Sequence, residues 1–96
     1  PVVPDSIADG LSAPFAGDPA LVTLRACSVE SILVPEEAIH EAFRWLYSRA
    51  KLACEPAAAT ALAPLLTGQV KPKNVAVVVS GGNVSAQTAS AILAGR

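Results

Sequence analysis

The residues best suited to chemistry in this sequence form a small-residue turn that directly follows an apolar run. Residues 75–79 are valine or alanine, which is typical of a strand buried on both faces. The chain continues with Ser80, Gly81, Gly82 and Asn83. Glycines let a ligand approach the backbone closely, and a serine hydroxyl both donates and accepts hydrogen bonds. Because ligands bind at the carboxyl ends of strands in open α/β sheets, this turn is a candidate binding site.

Simpler explanations compete with this interpretation and with two weaker candidates. On local chemistry alone, a tight turn with Ser80 as a local cap is favoured over a binding site. Glu55 precedes Pro56 at a helix junction, where its carboxylate would cap the next helix or, less simply, polarise a ligand in a pocket. Asp9 and Gly10 form a turn signal that predicts no function by itself. No metal-ligand spacing or phosphate-binding loop is visible.

The composition predicts a domain that other protein completes. A chain of 96 residues is one small domain at most, and a domain of this size needs much polar surface. Here 52% of the residues are hydrophobic and only 16% are charged. We therefore expect part of the apolar surface to face another layer or another chain.

Charge, hydropathy and cysteine content bear on partners and compartment. The net charge of -1 comes without a basic cluster or an aromatic platform, so we expect no nucleic-acid partner. No apolar run is long enough to span a bilayer, and no signal-peptide pattern opens the chain, so we expect no membrane partner. Cys27 and Cys54 lie in apolar helical contexts and are expected to be reduced, which favours a cytoplasmic setting.

The apolar periodicity and the turn signals predict alternating helices and strands. Helices are expected over residues 19–26, 36–53, 56–66 and 85–93, and strands over residues 31–34 and 75–79. Pro64 should kink or shorten the third helix, and Gly68 should end it. This order predicts an α/β layer with a parallel sheet, which two strands cannot form stably alone.

Three stretches in this order carry a family resemblance: DSIADGL at residues 5–11, AKLACEPAAATALAPLL at 50–66 and NVAVVVSGGNVS at 74–85. Together they resemble the C-terminal part of the serine/threonine dehydratase and serine racemase family, which are fold-type-II enzymes that use pyridoxal 5'-phosphate. The resemblance implies that residues 1–96 are the C-terminal part of the catalytic domain, with a three-layer, mostly parallel sheet that is incomplete on its own. No separate regulatory domain is visible.

The resemblance assigns cofactor contacts to the glycine turn and to the glutamate. Ser80 matches the family serine that hydrogen-bonds the pyridine nitrogen of the cofactor. A neutral hydroxyl need not keep that nitrogen protonated, so the ring is a weaker electron sink, which suits β-elimination. Gly81 and Gly82 would pass close to the ring edge, and Asn83 would fix the turn. Glu55 matches a glutamate near the cofactor that positions groups or orders water.

The resemblance places other parts of the family's site outside this chain. Within this chain, Asp9 and Gly10 still match the family's loop that lines the substrate side of the pocket. Lys51, Lys71 and Lys73 do not fit the setting of the family's Schiff-base lysine. That lysine lies upstream in the family, together with the glycine-rich phosphate cradle and the ligands of a divalent cation. We therefore expect no catalytic residue and no metal ligand here, and no catalysis by this chain alone.

The implied activity is that of an L-threonine/L-serine ammonia-lyase, which gives a 2-oxo acid and ammonia from a small hydroxy-amino acid. Serine racemase and hydroxyaspartate ammonia-lyase are alternatives, and so is a non-catalytic assembly or binding fragment. The expected partners are the substrate, the N-terminal remainder of the enzyme and further copies in a homo-oligomer. Ala57 and Ala58 stand where the family has a Ser/Thr-Gly pair, which puts the pocket shape or the helix packing in doubt.

Overall fold

The computed structural model describes residues 3–95, and these residues contain five α-helices. The helices are α1 (Asp18–Ala26), α2 (Glu36–Trp45), α3 (Pro56–Ala59), α4 (Ala63–Leu66) and α5 (Ala86–Leu93). A 3-10 turn over Asp9–Leu11 precedes α1, and a π-helical turn over Leu46–Ala50 continues α2. Within the described range, none of the helices has the length and hydropathy needed to cross a membrane.

Helix α2 begins where the sequence predicts. Pro35 is its N-cap, and Glu36 and Glu37 place negative charge at the positive end of the helix. Its buried face repeats every three or four residues and consists of Ala38, Ile39, Ala42 and Phe43. The helical backbone stops at Ala50, short of the predicted residue 53, because Lys51 adopts a left-handed conformation with a φ of 59°.

A proline divides the predicted helix over residues 56–66 into two short helices. Helix α3 ends at Ala59 and α4 begins at Ala63, with Pro64 in its first turn. Proline is tolerated there because the first N–H groups of a helix have no partner within it, whereas further along it would clash with the preceding turn. Gly68 follows α4 with a φ of 74°, and both predictions for this region are confirmed.

The core lies between α2 and the helices that follow it. Helix α2 packs against α3, α4 and α5. Alanines let these helices approach closely, and the core consists of Ala38, Ala42, Phe43, Leu46, Cys54, Ala58, Ala59, Leu62, Ala63 and Ile92. Arg44 adds a polar tie, since its Nε donates a hydrogen bond of 2.8 Å to the Ile92 carbonyl near the end of α5. This core fixes α3 and α5, whose N-terminal ends border the candidate site.

The two predicted strands, residues 31–34 and 75–79, are not formed within residues 3–95. A strand needs a neighbouring strand to bind its backbone N–H and C=O groups, and the described residues provide none for either segment. Residues 75–79 still alternate as a strand does, because Val77 and Val79 pack against the core whereas Val78 is 74% exposed. The predicted parallel sheet is therefore not present in the described residues alone.

Candidate functional site

Three loops meet beside the N-terminal ends of α3 and α5, and they carry Gly10, Glu55 and Gly81. The backbone N–H of Glu55 donates a hydrogen bond of 3.0 Å to the Gly81 carbonyl. The Glu55 carboxylate lies between the two glycines. A Cβ atom added to Gly81 would stand 1.9 Å from one carboxylate oxygen, and one added to Gly10 would stand 3.6 Å from the other. The fold thus brings the predicted substrate loop and the predicted cofactor turn to the same carboxylate.

Both glycines in the turn lie close to other atoms of the protein on the side where a Cβ would stand. The Cβ position of Gly81 is already occupied by an oxygen of Glu55, and a Cβ on Gly82 would lie 3.3 Å from the Ala53 carbonyl oxygen. These contacts give the two glycines a role within the protein, and their predicted contact with a ligand stays a prediction. The space where a Cβ of Gly81 would stand is filled by the Glu55 side chain.

Glu55 does not cap α3, although it occupies the N-cap position. Its backbone is extended there, and its side chain makes no capping hydrogen bond. The helix-capping interpretation of this residue is therefore wrong, and the carboxylate turns towards Gly81 and Gly10 instead. The preceding Cys54 is an unpaired, buried thiol. Burial raises the pKa of the Cys54 thiol, and the negative charge of Glu55 raises it further, so this cysteine is a packing residue and not an activated nucleophile.

The Ser80 side chain is exposed at the open side of the turn. Among residues 3–95 its hydroxyl has no hydrogen-bond partner, so both its donor and its acceptor capacity remain available. The turn after it is closed by the backbone, because the N–H of Val84 donates a hydrogen bond of 2.9 Å to the Gly82 carbonyl. The turn geometry therefore does not depend on the Ser80 hydroxyl, whereas the local-cap interpretation requires that it does.

Asn83 and Asp9 line a small cavity of about 190 Å³ at the start of α5. Ser85 and Thr88 also line it, and the Ser85 Oγ caps α5 by accepting a hydrogen bond of 3.0 Å from the Thr88 N–H. Asn83 thus shares this cavity with Asp9 of the predicted substrate loop. The predicted role of Asn83 in fixing the turn stays a prediction, since the backbone bond at Val84 already closes it.

Sequence reasoning missed the contact that holds the loop before Gly10. The Glu36 carboxylate accepts a hydrogen bond of 2.7 Å from the Ser6 hydroxyl and another from the Ile7 N–H. Ser6 and Glu36 are 30 residues apart in the sequence. No local pattern signals such a contact.

Comparison with known proteins identifies the family. The family described as "Pyridoxal-phosphate dependent enzyme" matches residues 1–81. This chain belongs to that family. The relationship expected from the three motifs is confirmed, and the family's name states its dependence on pyridoxal phosphate.

The relatives of this pyridoxal-phosphate family chain include threonine dehydratases. The catabolic L-threonine dehydratase TdcB of Staphylococcus aureus strain USA300 is 35% identical over 96 residues, covering 95% of this chain and 28% of the relative. The protein of the same name from strain N315 is 36% identical over 93 residues, covering 92% of this chain and 27% of the relative. The chain thus spans just over a quarter of the length of these relatives.

A solved structure with a similar fold supports the same relationship. The crystal structure of a threonine deaminase from T.th. superimposes with a TM-score of 0.81 and 35% sequence identity. It covers 88% of this chain, which in turn covers 31% of the deaminase. The arrangement of helices described above is therefore one that a longer enzyme of this family contains.

The residues at the turn fit a pyridoxal-phosphate ring. The ring nitrogen forms one hydrogen bond, and the free Ser80 hydroxyl is able to donate or accept it. Gly82 and Asn83 are exposed beside it, and the absence of a side chain on Gly82 leaves room for a planar ring to approach the backbone. Lys51, in contrast, is engaged elsewhere, since its ammonium donates a hydrogen bond of 2.7 Å to the Ser48 carbonyl.

Proposed function

We propose that this chain is the C-terminal part of a cytoplasmic ammonia-lyase that acts on L-threonine or L-serine and gives a 2-oxo acid and ammonia. The observation that carries the proposal is the Glu55 carboxylate between Gly10 and Gly81, which joins the substrate loop to the cofactor turn. The printed names of the relatives and of the similar structure, threonine dehydratase and threonine deaminase, support the reaction class.

Ser80 is the proposed partner of the cofactor's ring nitrogen. When bound, pyridoxal phosphate supplies a conjugated ring that delocalises negative charge from the α-carbon of an amino acid. The Ser80 hydroxyl orients the ring by one neutral hydrogen bond and leaves the nitrogen without an imposed charge. Gly81, Gly82 and Asn83 hold the backbone beside the ring edge, and the backbone-closed turn keeps this wall in place before the cofactor binds.

Glu55 sets the distance between the two walls of the proposed pocket. One of its oxygens fills the space beside Gly81, and the other faces Gly10. Asp9 and Gly10 then line the substrate side, where they contact the small hydroxy-amino acid. Because the Glu55 backbone is also bonded to Gly81, a shift of either loop moves the other.

The rest of the proposed active site belongs to the longer protein of which this chain is a part. Residues 31–34 and 75–79 would pair there with further strands, and the exposure of Leu33 (89%) and Val78 (74%) supports this pairing. The reactive lysine, the phosphate-binding loop and any divalent-cation ligands are proposed to lie in that remainder. The enzyme is proposed to be a homo-oligomer.

The test is the Ser80→Ala variant of the longer protein, with Ser90→Ala as its matched control. Both changes remove an exposed serine hydroxyl, but Ser90 lies on α5 away from the turn. We expect Ser80→Ala to shift the absorbance of the bound cofactor and to lower kcat/KM for L-threonine about tenfold, the scale of one neutral hydrogen bond. Ser90→Ala should change neither. If Ser80→Ala has the absorbance and kinetics of the wild type, the proposed contact between Ser80 and the ring nitrogen is wrong.

The reaction itself is decided by products of the wild-type protein. Formation of a 2-oxo acid and ammonia from L-threonine or L-serine supports the proposal. Formation of D-serine alone identifies a racemase, and activity confined to hydroxyaspartate identifies the other lyase. Absence of all three activities in cofactor-loaded protein contradicts an enzymatic role.

A further inference from the structure

We infer that Glu36 is a positioning residue for the active site, acting through a clamp on the segment that leads into the Asp9–Gly10 turn. The Glu36 clamp consists of the Glu36 carboxylate, the Ser6 hydroxyl and the Ile7 N–H. The inference rests on the proposed function only in so far as the turn lines the substrate pocket.

The Glu36 clamp uses both oxygens of one carboxylate. The Ser6 hydroxyl donates a hydrogen bond of 2.7 Å to one oxygen, and the Ile7 N–H donates to the other. The Ser6 oxygen in turn accepts a hydrogen bond of 3.1 Å from the Ala8 N–H. A single side chain on α2 therefore fixes three consecutive residues of the segment, with charge-assisted bonds at two of them.

The fixed segment passes directly into the substrate loop. Ala8 is 3% exposed, and its carbonyl accepts a hydrogen bond of 2.9 Å from the Leu11 N–H, which closes the turn that contains Asp9 and Gly10. On its other side, Gly10 faces Ala57 and the Glu55 carboxylate. The substrate loop is thus held between two carboxylates, Glu36 before it and Glu55 across from it.

Glu37 shows what distinguishes Glu36 from its neighbour. Both glutamates lie in the first turn of α2, where a negative charge interacts favourably with the helix dipole. Glu37, however, has a 74% exposed side chain, and its one ion pair within residues 3–95 is a weak contact of 3.6 Å with Arg44. Removal of either carboxylate loses one charge at the helix start, and removal of Glu37 also loses its pair with Arg44, but only removal of Glu36 releases residues 6–8.

The experiment compares Glu36→Ala with Glu37→Ala in the longer protein. Hydrogen–deuterium exchange of the cofactor-free protein is measured over residues 6–11, and kcat and KM for L-threonine are measured on the loaded enzyme. For Glu36→Ala we expect exchange about tenfold faster and KM about tenfold higher, with kcat changed less than about twofold, since charged hydrogen bonds are lost at the loop and not at the reacting atoms. Glu37→Ala should resemble the wild type in every measurement.

Two further variants separate a specific clamp from general loosening. Ser6→Ala removes the clamp from the loop side and should raise exchange and KM in the same direction. In the double variant with Glu36→Ala the two effects should not add, because the same bond is removed twice. Glu36→Gln keeps an acceptor oxygen and should restore part of the wild-type KM.

Unchanged exchange over residues 6–11 in Glu36→Ala would overturn the inference, and so would equal effects in Glu37→Ala. A fall in kcat with an unchanged KM would also overturn it, because the loop would then not be acting on substrate binding. If the wild-type protein does not deaminate L-threonine, the proposed function fails. The exchange measurement then still decides whether the Glu36 clamp holds the loop.

Discussion

The candidate site has two halves that meet at Glu55 and Gly81, and they differ in how deeply their side chains are buried within this chain. The inner half, residues 54–66, is buried against α2 by Cys54 and a series of alanines. The outer half, residues 75–83, packs Val77 and Val79 inward but leaves Val75 and Val78 exposed. The chain therefore buries the wall that carries Glu55 by itself, whereas the wall that carries Ser80 keeps exposed valines on its outer side.

The largest expected effect tests whether the inner half depends on the α2 core. Phe43 is 2% exposed, and Phe43→Ala should lower the free energy of unfolding of the longer protein by about 3–5 kcal/mol through loss of packing. Tyr47→Ala is the control, because Tyr47 is 47% exposed in the helical turn that follows and should cost less than about 1 kcal/mol. Denaturant unfolding followed by circular dichroism measures both. Equal losses of unfolding free energy in the two variants would contradict a core centred on Phe43.

An intermediate effect tests the contact that joins the two halves. Gly81→Ala places a methyl group in the space of a Glu55 oxygen and should destabilise the longer protein by about 1–3 kcal/mol. Gly17→Ala is the matched control, because its added methyl meets only Pro19, at 3.9 Å.

The same contact predicts a rescue. In a Glu55→Ala background the space beside Gly81 is empty, so Gly81→Ala should there cost less than in the wild type, which thermal unfolding of the four proteins measures. If Gly81→Ala destabilises the protein equally with Glu55 and with Ala at position 55, the added methyl group does not clash with the Glu55 side chain.

The smallest effect sharpens the description of the outer half. If further strands cover residues 75–79, Val78 is buried in the longer protein, and Val78→Ser should cost about 1–2 kcal/mol, close to the cost of Val77→Ser. If Val78 stays as exposed as it is here, at 74%, only Val77→Ser should destabilise. Urea unfolding of the two variants side by side measures the difference.

The sequence predicts the helical framework well because its signals are local. The spacing of apolar residues in α2 predicts the buried face that the structure shows, and Pro64 and Gly68 mark the division and the end of the third helical segment. The expected boundaries differ only where a backbone conformation decides, as at Lys51. The motif resemblance also identifies the family correctly.

Features that depend on distant partners could not be predicted from local patterns. Residues 75–79 have the composition of a buried strand, but composition does not say whether a neighbouring strand is available within the same chain. The direction of the Glu55 side chain is set by Gly10 and Gly81, which are remote in sequence. A capping role was the simpler expectation for Glu55 because it required only the adjacent helix.

The open valine run also determines how this chain behaves when it is made alone. Residues 75–79 combine β-branched side chains with the absence of any charge, and no neighbouring strand within residues 3–95 covers their hydrogen-bonding edge. Such a segment favours pairing between copies and growth of insoluble aggregates. Lys71, Pro72 and Lys73 stand just before it, where charge and proline oppose that growth. We therefore expect the isolated chain to aggregate through residues 75–79, with the short basic stretch before them opposing it.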